Sequence, residues 1–514
     1  MSRQTKLLHR RRAPLAMRPA LYMLGLKSFR DFLRLSRIGV AERVANLGIG
    51  MESLHSNLEF VHENSEKSPC LFCDRSKKEK GYFFDEVIVG SGPGGAIAAH
   101  HSVMKGNKTL LIEKGRRVSG SPHQSPSQLI LDFDFGAQQF GFLDKQVFQF
   151  SQGSCWGGGS EVNSGLYHSL PAPLARDWGI KTGISPAELK GADSRVRAAL
   201  SVSKQSLSAM GIYGVSRIVE LANTMAYSAK VVERWRSYSS PKDFQHHGMG
   251  TTYLRKFEAG GGHSLLGARV VRIKASKDKV LPVRVLVRCN RGKTHWVSSL
   301  RRVVLAAGVL ETPKILVKSR LAKTSEFRFG THVMGRMFIR YNEEVNDGSD
   351  IDPHQAFDPL GPGKIGMSVV NEHILASILS AEGFDNINPR HVVPLYYSLP
   401  FEGQSKIRYV PGVGMTPFLL SKESFKTDLE SLRNRVIAAI SETKGELLLS
   451  GPSFSSVHIF GSMAIGSSAL VDEKGYLRGF GDKIAIRDAS ILPTAPGVNP
   501  QGPLMTLVEA LEAA

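Results

Sequence analysis

The chain has 514 residues, 42% hydrophobic and 22% charged, which is the balance of a folded protein with ample chain for a large core and excludes disordered, collagenous and disulfide-stapled classes. Its formal charge of +20 is uneven, because residues 1–38 hold ten Lys or Arg against the single acid Asp31. With no recognisable nucleic-acid module beside it, that surplus reads as a basic tail on a mildly basic body, and nucleic-acid binding is set aside.

Residues 1–80 read as a basic N-terminal extension. Basic residues precede Ala13–Met17 as in a secretory leader, yet Arg18, Pro19 and Lys27 interrupt the apolar stretch and argue against cleavage. Leu21–Val40 fits a basic amphipathic helix, either solvated or lying on an anionic membrane or a partner. No run approaches the roughly 18 apolar residues of a membrane span. The expected location is therefore cytoplasmic, with peripheral membrane contact through the N-terminus and export as alternatives. Cys70 and Cys73 form a lone C-x-x-C, readable as a redox pair, half of a shared metal site or two unpaired thiols. No metal site is expected.

The globular body starts at Tyr82. Phe83–Val89 is an apolar, β-branched run that stops at Gly90, as a buried parallel strand would. The Ala-rich Gly94–Lys105 fits a helix and Thr109–Ile112 a second strand, which makes a βαβ unit. Between its first strand and helix stands Gly90-Ser-Gly92-Pro-Gly94-Gly95, a G-x-G-x-x-G in the context that chemistry requires. Gly90 allows the tight turn, Gly92 lets a pyrophosphate approach the backbone, and Gly95 lets helix and strand pack closely. The helix N-terminus then faces the phosphates with free N–H groups. Glu113 ends the next strand, where a carboxylate accepts hydrogen bonds from ribose hydroxyls, and it argues against a 2′-phosphate. Dinucleotide binding follows, without a choice between FAD and NAD.

A second cluster, GSCWGGGSEVNSG at Gly153–Gly165, has three consecutive glycines before Ser160 and Asn163. It is either a glycine-rich surface loop or backbone that must come close to something flat or anionic. Leu265–Ile273 is expected as one strand and Arg302–Ala306 as another, followed by a helix opening at Thr312-Pro313. Residues 330–450 look less regular, with polar loops such as Asn342–Pro353 and Pro359–Gly366. Lys483–Ile486 is strand-like, Pro493–Pro503 a proline-rich loop, and Leu504–Ala514 a short final helix.

Taken together, GSGPGG with Glu113, GGGSEVN, VVLAAGVLETPKIL at Val303–Leu316, and a final block from His458 (HIFGSM) through Asp488 (DASILPT) to Asn499 (NPQGP) resemble the glucose–methanol–choline (GMC) flavoprotein oxidoreductases. The tripled glycine is nearest to the cholesterol-oxidase-like and long-chain-alcohol branches. The resemblance implies an α/β protein with a doubly wound, Rossmann-like FAD domain built from 81–170, 245–330 and 455–514. It further implies an inserted α+β, sheet-based substrate domain from 171–244 and 331–454. Carried over by position, it implies that Gly90, Gly92, Gly94, Gly95 and Glu113 bind the ADP half, and that Gly158, Ser160 and Asn163 run along the pyrophosphate and flavin. Val270 would touch the adenine, and Asp488, Pro500 and Gln501 would reach the ribityl chain and pyrimidine edge. One branch has a histidine, bonded covalently to FAD, directly before the signature asparagine. Val162 stands there in this chain, so non-covalent FAD is expected.

The catalytic pair implied is His458 and Asn499. Taking a hydride from an alcohol carbon requires the hydroxyl proton to leave as well, and a neutral imidazole can accept it. Asn499 would hold the substrate oxygen without adding charge. The expected function is thus an FAD-dependent alcohol dehydrogenase or oxidase, with oxygen, a quinone or a cytochrome as electron acceptor. A flavin-containing lyase on the same scaffold and a non-catalytic flavin-binding module are the alternatives.

Overall fold

The computed structural model describes residues 82–117, 139–144, 146–150, 152–204, 213–240, 243–276, 281–289, 292–345, 354–367, 375–376, 379–380, 383–411, 414–450 and 454–513. The N-terminal extension, its Leu21–Val40 helix and the Cys70/Cys73 pair lie outside them. Among the described residues no helix is long and apolar enough to cross a membrane.

The first sheet grows from the βαβ unit. Strand β1 (Tyr82–Val89) leads into helix α1 (Pro93–Met104) and then strand β2 (Thr109–Ile112). Val87, Ile88 and Ala96–Ala99 are wholly buried, which is why β1 ends in an unbroken apolar run rather than an alternating one. Strands β3 (His263–Leu265), β4 (Arg269–Lys274), β5 (Val283–Arg288) and β6 (Thr294–Leu305) complete the order β3-β2-β1-β6-β5-β4. The first four are parallel neighbours, whereas β5 runs antiparallel to both β6 and β4. Ile484–Ile486 pairs in parallel beside the end of β6.

Residues 265–273 therefore do not form one strand. Gly267 turns the chain at φ +63°, and Glu113 N and Ala268 N donate across it to Leu265 O and Glu113 O (2.9 and 3.0 Å). A left-handed glycine lets β3 and β4 go to opposite edges of the sheet.

A second, thirteen-stranded sheet occupies much of 330–450, the stretch expected to be less regular. At its centre are β7 (Gly330–Arg340), β8 (His354–Phe357), β9 (Lys364–Met367) and β10 (Val392–Pro400), all antiparallel in the order β7-β10-β9-β8. The segment 359–366 is thus only partly a loop, since β9 begins at Lys364. Gln139–Leu143, Gln146–Phe150 and Glu326–Arg328 also join this sheet. Val333, Met337, Ile365, Leu395, Tyr397 and Leu399 fill one face, and helix α2 (Glu423–Glu442) packs there with Leu429, Leu432 and Val436 buried. The opposite face carries His332, Arg336, Gln355, Lys364 and Tyr396.

The last helix, α3 (Gln501–Ala513), is buried for almost its whole length against α1 and the helix Pro186–Ala199. It starts three residues before the sequence expectation because Pro503 fits the first turn. Its Glu512 closes a buried ion network, accepting from Arg487 Nε at 2.6 Å and Arg302 Nη2 at 2.9 Å, while Arg302 also meets Glu86 at 3.0 Å. Burial works against the Glu512 carboxylate, but the Arg487 and Arg302 charges outweigh it and hold the group down to about 2. A depressed carboxylate stabilises the fold above its ordinary range and stops doing so as pH falls through that range towards 2. Glu512→Gln should cost about 3–5 kcal/mol at pH 7, because two buried guanidinium groups lose their shared partner. Thermal melts of both proteins check this, and the gap should narrow as the pH drops below 4.5.

Candidate functional site

Four parallel strands end side by side, and three of them are followed by a residue singled out from sequence. Gly90 follows β1, Glu113 follows β2, Gly308 lies beyond β6, and Asp488 follows Ile484–Ile486. The chain after β1 goes to β2 on one side while β6 lies on the other, so the crevice at their carboxyl ends is a topological switch point.

The glycines of this crevice have two different reasons to be glycine. A Cβ on Gly90 would lie 2.3 Å from Ala306 O, one on Gly94 1.7 Å from Arg487 O, and one on Gly95 2.0 Å from Gly90 O. These three let strand ends and helix α1 touch backbone to backbone. Gly92 is the exception: nothing lies within 4 Å of where its Cβ would be, nor for Gly159. Gly92 is also the N-cap of α1 and offers no side chain to its first turn, which leaves a helix N-terminus open to an anion.

Ser91, the residue between the first two glycines, was not singled out from sequence, yet it ties the crevice together. Its N and Oγ both donate to Glu113 Oε2 (2.9 and 2.7 Å), and Gly157 N donates to its Oγ at 3.0 Å. Glu113 also accepts from Gly115 N at 2.8 Å and is buried. In this structure the carboxylate braces the glycine loop, and one carboxylate lone pair remains beyond those three bonds.

The second glycine cluster folds against the first. Gly157 and Gly158 take φ of +95° and +59°, and a Cβ on Gly158 would lie 2.8 Å from Gly92 Cα. The short helix Gly159–Val162 follows. Ser160 is fully buried, its Oγ 2.9 Å from Gly157 O and accepting from Met249 N at 3.0 Å, so its side chain is spent inside the loop. Asn163 Nδ2 donates to Gln501 Oε1 at 2.8 Å, joining the cluster to the start of α3. Gln501 Nε2, Gln152 Nε2 and Trp156 Nε1 are buried polar atoms without a protein partner. Asp488 is buried and accepts from Gly308 N, Thr312 Oγ1 and Ser490 N (2.9, 2.5 and 2.9 Å). Burial raises its pKa against those bonds. Val270 is buried in β4, beside Val287, and Pro500 O accepts the bond from Leu504 N that opens α3.

His458 and Asn499 belong to a second, larger constellation. His458 Nδ1 lies 3.1 Å from His332 Nδ1, the two rings edge to face at 5.2 Å. Its backbone N donates to Ser456 Oγ, which Thr331 Oγ1 also meets at 2.9 Å. His458 Nε2 makes no hydrogen bond within the protein and is not among the sealed-off polar atoms. Asn499 Oδ1 accepts from Lys364 Nζ at 3.2 Å. His168 Nε2 meets Gln355 Oε1 at 2.9 Å, and Gln355 Nε2 donates to the Tyr396 hydroxyl at 2.5 Å.

Burial, and then the neighbouring His332, Lys364 and His168, push His458 well below the ordinary imidazole range. Burial and Lys364 likewise lower His332 to about 3 and His168 to about 4. Burial lowers Lys364 itself to about 8. The three imidazoles are therefore neutral near pH 7 and Lys364 is mostly charged. Sequence reasoning singled out His458 and Asn499 but not His168, His332, Gln355, Lys364 and Tyr396, which the structure gathers into the same constellation. For His332, Gln355, Lys364 and Tyr396 the only signal is polar residues on strands whose pairing the sequence does not reveal, and His168 lies in irregular chain with no local signal. No group of three or more potential metal ligands occurs among the described residues.

A family model described as GMC oxidoreductase matches residues 84–340. An uncharacterised GMC-type oxidoreductase, y4nJ of Sinorhizobium fredii, is 25% identical over 477 residues, covering 82% of this chain and 92% of that protein. The long-chain-alcohol oxidase FAO1 of Arabidopsis thaliana is 31% identical over 115 residues, 22% of this chain and 15% of that one. The crystal structure of pyridoxine 4-oxidase from Mesorbium loti superposes with a TM-score of 0.64 at 15% identity, covering 84% of this chain and 98% of that one.

The two kinds of crevice glycine should respond differently to one added methyl. Gly92→Ala should keep the thermal stability of the cofactor-free protein to within about 0.5 kcal/mol. Gly94→Ala should lose about 3 kcal/mol or more, because its Cβ meets the Arg487 carbonyl. Denaturant melts of the two variants check the contrast, and equal losses would refute it.

Proposed function

This chain belongs to the GMC oxidoreductase family, and on that premise we propose that it is an FAD-dependent enzyme oxidising the CH–OH group of a small molecule, with His458 as base. The observation that carries this reading is the Nε2 of His458, which makes no hydrogen bond within the protein, on an imidazole that burial keeps neutral and that feels the charge of Lys364, the partner of Asn499.

The residues at the strand ends suit FAD. Gly92 and Gly159 leave space where side chains would stand, the α1 N-terminus has no side-chain cap, and Gln501, Gln152 and Trp156 hold unpartnered donors. The pyrophosphate would lie against Gly92 and α1, with Gly90, Gly94, Gly95 and Gly158 making the close approach by their backbone. Glu113 would take a ribose hydroxyl on its remaining lone pair. Val270 would line the adenine, and Ser160, Asn163, Asp488, Pro500 and Gln501 would build the wall from the ribityl chain to the pyrimidine edge. Val162 offers no imidazole for a covalent link, so the cofactor is held non-covalently. When bound, the flavin supplies the acceptor for the hydride.

The protein's own part is proton handling and orientation. For His458 Nε2 to accept the hydroxyl proton, Nδ1 must carry the ring proton and donate it to His332 Nδ1. His332 is thus a positioning residue that selects the useful tautomer. Asn499 has its oxygen committed to Lys364, which turns its NH₂ group towards the carbinol oxygen. A substrate hydroxyl can then accept from Asn499 and donate to His458.

Two outcomes are expected. His458→Ala should keep its bound flavin while anaerobic bleaching of the visible bands by an alcohol slows by about 100-fold or more. In the parent protein the acid limb of the kcat/KM profile should lie below pH 6.5, because the base is held neutral by burial. An acid limb at or above 6.5 would contradict the assignment of His458.

A further inference from the structure

The face of the second sheet that looks away from α2 is basic. Across the strands, register places Met334, Ser398 and Lys364 in one row and Arg336, Tyr396, Gly366 and Gln355 in the next, with His332 and Pro400 flanking. In antiparallel pairing, residues in such a row share a face. Lys364 is 4% exposed and lies in the middle of this face. Buried charges are ordinarily paired, yet Lys364 has a single hydrogen bond, to the neutral Asn499 amide, and no carboxylate partner among the described residues. Glu233 is the one carboxylate felt in the cluster, through His168, and it is already held at both oxygens by Arg197 at 2.7 Å. Among the described residues nothing answers the Lys364 charge, and two of its three N–H donors are unused.

Resting on the assignment of His458 and Asn499 to the carbinol, we propose that the substrate is an anionic hydroxy acid whose carboxylate is held by Lys364. Asn499 bridges the two ends of such a molecule, with its NH₂ on the carbinol oxygen and its Oδ1 3.2 Å from Lys364 Nζ. The carboxylate therefore sits only a few bonds from the carbon that is oxidised. Arg336, exposed on the same face, adds positive charge along the approach and raises the local concentration of anions. The carboxylate itself is unchanged by the reaction. Oxidation of the carbinol to a ketone would release a hydride, which is two electrons and one proton, for the flavin to accept, and the hydroxyl proton for His458 to accept.

The titratable groups around the site give this recognition a pH signature. His168 and His332 are held to about 4 and about 3 and His458 well below its ordinary value, burial lowers Arg336 from a far higher one, and Glu233 is paired, so Lys364 is the group that changes state, near 8. A lysine is charged below its pKa, so anion affinity should be greatest below pH 8 and decline above it.

Calorimetric titration of the FAD-loaded protein with acetate and benzoate, against the isosteric neutral acetamide and benzamide, tests the proposal without turnover. At least one carboxylate should bind tenfold or more tightly than its amide at pH 7, and the preference should weaken by pH 9. Lys364→Met should abolish the preference and Lys364→Arg should retain it, each with the visible flavin spectrum of the parent. Equal affinity for acids and amides in the parent protein overturns the proposal even if both variants misfold, as does a preference that survives in Lys364→Met. Bleaching by neutral alcohols with no preference for acids would sink this inference alone. A protein that holds no flavin would sink the function on which it rests.

Discussion

Backbone-to-backbone contact at the carboxyl ends of four parallel strands is the constraint on which the rest of the molecule depends. Gly90 lies against Ala306, Gly94 against Arg487 and Gly95 against Gly90 at distances that no side chain tolerates. That closeness brings the N-terminus of α1, the braced Glu113 and the second glycine cluster to one line. The ion network of Arg487, Arg302, Glu86 and Glu512 locks the same strands from behind, through the C-terminal helix. Residues separated by some 400 positions thus share one small volume, and the discontinuity of the crevice is a consequence of the parallel topology.

The second sheet contributes chemistry rather than support. Its helix-covered face is ordinary apolar core, whereas the other face collects Lys364, Arg336, His332, Gln355 and Tyr396. Burial there decides the protonation states: three imidazoles are driven neutral and one lysine is left without a carboxylate partner among the described residues. On the proposed reading, that neutral base and unanswered cation prepare the site for a proton on one side and an anion on the other. On the same reading His332 tunes the site from outside the reacting atoms, because its side chain engages Nδ1 of His458 and leaves Nε2 without a hydrogen bond in the protein.

Much of the first sheet could be read from the sequence because its determinants are local. The run to Val89, the glycine turn, the Ala-rich helix and Glu113 all fall within about 30 residues, where period and turn chemistry speak directly. The second sheet could not, since its hairpins are joined by pairings between distant stretches, such as Gly330–Arg340 with Val392–Pro400 and Gln149 with Ser455, and its strands carry weak alternation. Lys364 looked like part of a polar loop for that reason. Leu265–Ile273 misled for the opposite reason: an apolar run long enough for one strand is divided by the left-handed turn at Gly267. Ser91 was hidden inside a motif whose glycines drew the attention, although its hydroxyl holds the crevice together.

The most direct measurement is a crystal structure of the protein loaded with FAD under non-reducing conditions. The account requires the pyrophosphate to lie over Gly92 at the start of α1, and the isoalloxazine ring to sit beside His458 Nε2 and Asn499. A flavin bound elsewhere, or an imidazole of His458 turned away from the ring and sealed in protein, would contradict it.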